Sequence, residues 1–141
     1  MFRGERGSAS LEFIVIALGV LIPILAVTVS ASDIQRAQFA TVQIARQGVR
    51  SIALAPTLAA GERVVKRVAA LVQSDLGVTG TPRLAVSCEP RPCGARGSLY
   101  RLTVTIRVSL PMIPALPGLD VASRIPISAS ATHRVPLPVM P

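Results

Sequence analysis

Two cysteines, one histidine and seven carboxylates carry most of the chemistry open to this chain of 141 residues. Cys88 and Cys93 enclose Glu89-Pro90-Arg91-Pro92. A redox-active pair normally has two residues between its cysteines rather than four, so the spacing speaks against thiol catalysis. A structural zinc site needs four ligands, and His133 is the single histidine that could join the two thiolates. In an oxidising compartment an even pair of cysteines reads as a disulfide. Closing so short a loop removes about 2 kcal/mol of unfolded-chain entropy, so its use is to pin a hairpin tip. Asp33, Glu62, Asp75, Glu89 and Asp120 are scattered, and one histidine supports no Ser/His/Asp or Cys/His constellation. No glycine-rich loop opens a helix after a strand, which removes the usual nucleotide fingerprints. The expectation is a chain that is not an enzyme and takes no metal or cofactor.

The carboxylate in the most demanding setting is Glu12. It stands at the mouth of the uncharged block Phe13 to Ser32, which as a helix covers ~30 Å, the hydrocarbon thickness of a bilayer. An unpaired charge carried into lipid costs at least ~2.5 kcal/mol. Glu12 therefore needs a partner. Cleavage after Gly7 would supply one, the new α-amino group of Ser8, offered by another copy of the same segment.

A short basic leader ending in Gly7, a glutamate at the fifth position after it, Phe13 next and then an unbroken apolar run resemble a type IV prepilin signal. The wording Arg6-Gly7-Ser8-Ala9-Ser10-Leu11-Glu12-Phe13 is similar to that of the TadE-like minor pilins, or pseudopilins, of the tight-adherence pilus system. Residues 1 to about 55 carry the resemblance. It implies that a prepilin peptidase cuts between Gly7 and Ser8 and that the helix waits in the inner membrane. Assembly machinery then extracts it into a filament with other pilin subunits. Glu12 is the assembly residue in that reading, and Phe13 onward is the packing surface. Thread-forming major pilins of the family are much shorter chains, so the sizeable remainder here implies a minor subunit. No motif of the family continues into that remainder.

The elements that must hold these residues follow from pattern. Arg3 and Arg6 precede the apolar block and no further cation comes before Arg36. By the positive-inside rule the N-terminus stays in the cytoplasm and everything after Ser32 is delivered outside. An ordinary secretory leader competes, because Val29-Ser30-Ala31 has the small residues a leader peptidase accepts. It would release a secreted module, or leave a membrane-anchored one, whose basic surface binds anionic polymers. The length of the block and the presence of Glu12 speak against it. Three segments result: a leader over 1–7, a long helix over 8–55 with its transmembrane part at 13–32, and a small extracytoplasmic α+β head over 56–141.

The long helix would measure ~70 Å if unbroken. Pro23 should kink rather than end it. Beyond Ser32, Ile34, Gln38, Val42, Ala45, Val49 and Ile52 fall on one side at helical spacing, and Arg36, Gln43, Gln47 and Arg50 on the other. Ala55-Pro56-Thr57 breaks the pattern. A second amphipathic helix uses Val64, Val65, Val68, Leu71, Val72 and Leu76, and stops at Gly77. From Gly80 the period changes to two. Leu84, Val86 and Cys88 line one strand face, and Tyr100, Leu102, Val104, Ile106, Val108 and Leu110 a second. Ile125, Ile127, Ala129, Ala131 and His133 line a third, with Pro126 assigning it to a sheet edge or a late start. A small antiparallel sheet of about three strands, covered on one face by helices, is the expected head. Pro111 to Leu119 and Val135 to Pro141 are proline-rich, apolar and extended; they either lie on the domain or offer a contact patch to another subunit.

Half the residues are apolar, yet Phe2, Phe13, Phe39 and Tyr100 are the only aromatics, so Val, Leu, Ile and Ala must make the core. Net charge is +8, with Lys66 the single lysine among fifteen basic residues. That balance favours anionic partners such as lipid headgroups, acidic polymers or nucleic acid. Readers of single strands need aromatic platforms, and Tyr100 alone is placed on the sheet, so nucleic acid is not the expected partner.

Overall fold

The computed structural model describes residues 8–90, 93, 97–109 and 124–135. The expected leader with Gly7, Leu110 and the proline-rich segments 111–119 and 136–141 lie outside the described residues. Two helices precede three strands: α1 (Ser8–Leu54), α2 (Leu58–Leu76), β1 (Arg83–Glu89), β2 (Leu99–Ser109) and β3 (Arg124–Arg134). The fold is α+β, as expected.

α1 is a single helix of 47 residues with Pro23 inside it. Proline has no N–H to donate and withdraws the bond that Gly19 would otherwise accept. A Cβ at Gly19 would meet nothing within 4 Å, so the chain is open there. Three residues, Ala55-Pro56-Thr57, then reverse the chain. Thr57 caps α2, its Oγ1 accepting a hydrogen bond from the Ala60 N–H at 3.2 Å. At the other end Gly77 takes φ 62°, a left-handed conformation that relieves the last carbonyls of the helix.

The two helices meet through small side chains. A Cβ on Gly61 would lie 2.8 Å from the Ile52 Cα, and one on Gly48 would lie 2.6 Å from Leu102 Cδ2 and 3.1 Å from Val65 Cγ1. The buried stripe of α1 is therefore Ala37, Ala40, Thr41, Ile44, Ala45, Gly48, Val49, Ile52 and Ala53. This corrects the face expected from sequence: Gln38 and Val42 are exposed, and Ile34 is half-buried. On α2, Gly61, Val65, Ala69 and Val72 are buried, whereas Val64 and Leu71 point outward at 42% and 65% exposure. Close backbone approach selects Gly and Ala for the contact and leaves some larger apolar residues outside it. The Thr41 hydroxyl, fully buried, donates back to the Ala37 or Gln38 carbonyl, each at 2.9 Å.

The sheet order is β1-β2-β3, antiparallel throughout. β3 is an edge, which accommodates Pro126 opposite Arg107. Tyr100, Leu102, Val104, Ile106 and Val108 of central β2 are buried in strict alternation. They pack with Ile44, Val49, Ile52 and Val65 as one core. Each fully buried Leu or Ile contributes about 1.5–3 kcal/mol. Direction follows from two contacts. Asp33 and Arg36 of α1 share a concavity with Val108 and Ser109 of β2, while Gly48 abuts Leu102, so β2 runs back along the helix. The start of β3 and the start of β1 thus lie beside residues 33–36, and the β1–β2 turn lies at the far end.

Candidate functional site

Among the described residues, nothing packs against the first half of α1. Leu11, Phe13, Ile14, Val15, Ile16 and Leu18 are all about half exposed or more, Phe13 at 72%, and the apolar exposure continues to Val29 around every side of the helix. A helix that is apolar all round belongs in lipid or inside an assembly. By length and composition α1 can cross a membrane, and none of its most apolar 18-residue window is buried. Three hydroxyls towards its end are satisfied locally. Thr28 Oγ1 donates to the Ile24 carbonyl at 2.8 Å, Ser30 Oγ to Ala26 at 2.9 Å and Ser32 Oγ to Val29 at 2.8 Å. Hydroxyls folded back on the helix in this way need no water of their own, which suits a hydrocarbon setting.

Of the residues singled out for processing and assembly, Gly7 lies outside the described residues and Ser8 opens α1. Glu12 follows four residues later on the same helix face and is exposed, as is Phe13 beside it. Helical side chains tilt towards the N-terminus, so the Glu12 carboxylate leans towards the turn that Ser8 begins. Glu12 and the backbone of Ser8 thus lie about one turn apart on one face of the helix.

Cys88 and Cys93 are joined in a disulfide with Cα atoms 5.7 Å apart. Cys88 is buried and pairs with Tyr100, one step before the end of β1, and Tyr100 in turn pairs with His133 of β3. Cys93 is exposed. The bridge therefore anchors the far tip of the head to its core. Among the described residues no three His, Cys, Asp or Glu side chains gather in one place. Glu12 and the cysteines stand at opposite ends of the molecule, so the two pointed stretches of sequence form no common site.

The arginines are the feature that linear reading disperses. Arg83, Arg101, Arg107, Arg124 and Arg134 all lie on the outer, exposed face of the sheet. Three of them, Arg83, Arg107 and Arg124, come together at the end nearest residues 33–36, around a concavity of about 410 Å³. They are far apart in sequence, and only strand register assembles them. The signal available beforehand was the alternation of arginine with apolar residues along each strand.

No family model, no curated protein and no solved structure matches this chain.

Proposed function

We propose that this chain is a structural pilus subunit, a minor pilin or pseudopilin of a tight-adherence type IV pilus. The observation that carries the reading is the division of α1: its second half is the spine of a folded head, while its first half is predominantly apolar, headed by Glu12 and packed against nothing among the described residues. Lipid covers that half before assembly, and the corresponding halves of other pilin subunits cover it afterwards. The N-terminus stays in the cytoplasm, the head lies outside, and a prepilin peptidase frees Ser8. The part played is mechanical. No bond is made or broken by the subunit itself; it joins, primes or caps a filament used for surface attachment.

N-terminal sequencing of the mature protein tests this reading. Ser8 as first residue supports the pilin, Ser32 the secreted module and Met1 a plain anchor. A Gly7→Leu variant should keep its leader and remain full length in the membrane. Processing of that variant at the wild-type rate would remove the peptidase from the account.

A further inference from the structure

The concavity between Arg83, Arg107 and Arg124 lies at a defined height. Thr79 and Ser109 line it, and the same two residues line the neighbouring concavity bounded by Asp33 and Arg36 of α1. Asp33 directly follows Ser32, the end of the uncharged block. The three guanidinium groups are thus level with the point where α1 leaves its apolar run, which for a membrane-crossing helix is the level of the lipid headgroups. Register explains why they converge. Arg83 is opposite Thr105, Arg107 opposite Pro126 and Arg124 opposite Ser109, so two strands start and one ends at this edge.

The chemistry is that of a phosphate receptor. All three arginines are exposed, and guanidinium forks bind phosphate oxygens in pairs. Thr79, Thr105 and Ser109 add hydroxyl donors, with Thr105 Oγ1 held 2.9 Å from Ser128 Oγ. Among the described residues no carboxylate lines the concavity; Asp33 lines the adjacent one beside Arg36, and Asp75 lies in the last turn of α2. An extended nucleic acid would want exposed aromatic platforms, and Tyr100, the aromatic of the sheet, is buried at 5% exposure.

We infer that this arginine-lined concavity at the foot of the sheet binds the phosphate headgroups of anionic phospholipids and seats the head on the membrane from which α1 emerges. The inference rests on α1 crossing the membrane and not on the filament reading. Seated in this way, the head has a fixed tilt on the leaflet.

The test uses the full-length protein in phosphatidylcholine vesicles carrying a trace of spin-labelled phosphatidylglycerol or spin-labelled phosphatidylcholine. The motionally restricted fraction of each label gives the protein's preference between them. Each arginine near an anionic surface strengthens association about fivefold, so Arg83→Gln/Arg107→Gln/Arg124→Gln should lower the preference for phosphatidylglycerol roughly a hundredfold if all three act together. The corresponding triple lysine variant should keep most of it, and Arg63→Gln/Arg67→Gln on α2 should leave it unchanged. Equal preference in the wild type and the triple glutamine variant would overturn the inference. Failure of the wild-type protein to float with the vesicles would overturn the membrane reading of α1, and the inference with it.

Discussion

The two halves of α1 share one unbroken backbone and differ in what their side chains are for. From Leu11 to Val29 large apolar residues are exposed on every side, whereas from Ala37 to Ala53 a narrow stripe of mostly small residues is buried to 8% exposure or less. The first half has no shape to match and can be covered by any apolar medium. The second half has its contacts set to a fraction of an ångström by Gly48, Gly61 and the alanines around them. One helix can therefore serve as a general anchor and a specific scaffold, because bulk suits a fluid environment and small size suits a fixed one.

This contrast can be broken most sharply in the core. Leu102→Ala empties a fully buried site and should cost the head about 2–5 kcal/mol, while Leu18→Ala in the exposed half should leave head stability unchanged. The near-ultraviolet signal of Tyr100, the single tyrosine and a buried one, reports the head alone during denaturation in detergent. Gly61→Val forces atoms into the Ile52 backbone and should lose about 3 kcal/mol, the upper end for overpacking; Gly19→Val, in open surroundings, should not move the same signal. Equal effects at Gly61 and Gly19 would mean that close approach is not what distinguishes the halves. Replacing Cys88 and Cys93 together by alanine should cost the head about 2 kcal/mol without altering membrane insertion, measured by carbonate extraction. The smallest effect sharpens the picture at the reversal between the helices: Thr57→Ala removes the cap on α2 and should cost about 1 kcal/mol.

The sheet was legible from sequence because burial on a strand repeats every second residue, and a face of Leu102, Val104 and Ile106 admits one phase. Pro126 likewise marked β3 as an edge through a missing donor. The helices were legible in extent, from Ser8 through the Pro56 interruption to Gly77, but their buried faces were read partly out of phase. Weight given to large apolar side chains favoured Val42, Val64 and Leu71, all of them exposed, over Ala40, Gly61 and Ala69. Small residues hold little hydrophobicity each, so their stripe is faint in sequence even where packing depends on it. The arginine concavity was not legible, since Arg83 and Arg124 stand on strands that pair with β2 and not with each other. Glu12 was conspicuous for the opposite reason: a carboxylate beside Phe13 contradicts its neighbours.

Glu12 is the residue proposed to make the exposed half of α1 an assembly segment rather than a plain anchor. A carboxylate and an amine brought together at low dielectric attract several-fold more strongly than in water, but leaving either one alone there is costly, so in the proposed assembly the pair would set register between subunits. Glu12→Val makes the segment more apolar and removes that register. The most direct measurement is the amount of the variant recovered in sheared surface filaments, compared with the amount inserted and processed in the membrane. The account predicts normal insertion and normal release of Ser8, with the variant absent from filaments; recovery of Glu12→Val in filaments at the wild-type level would contradict it.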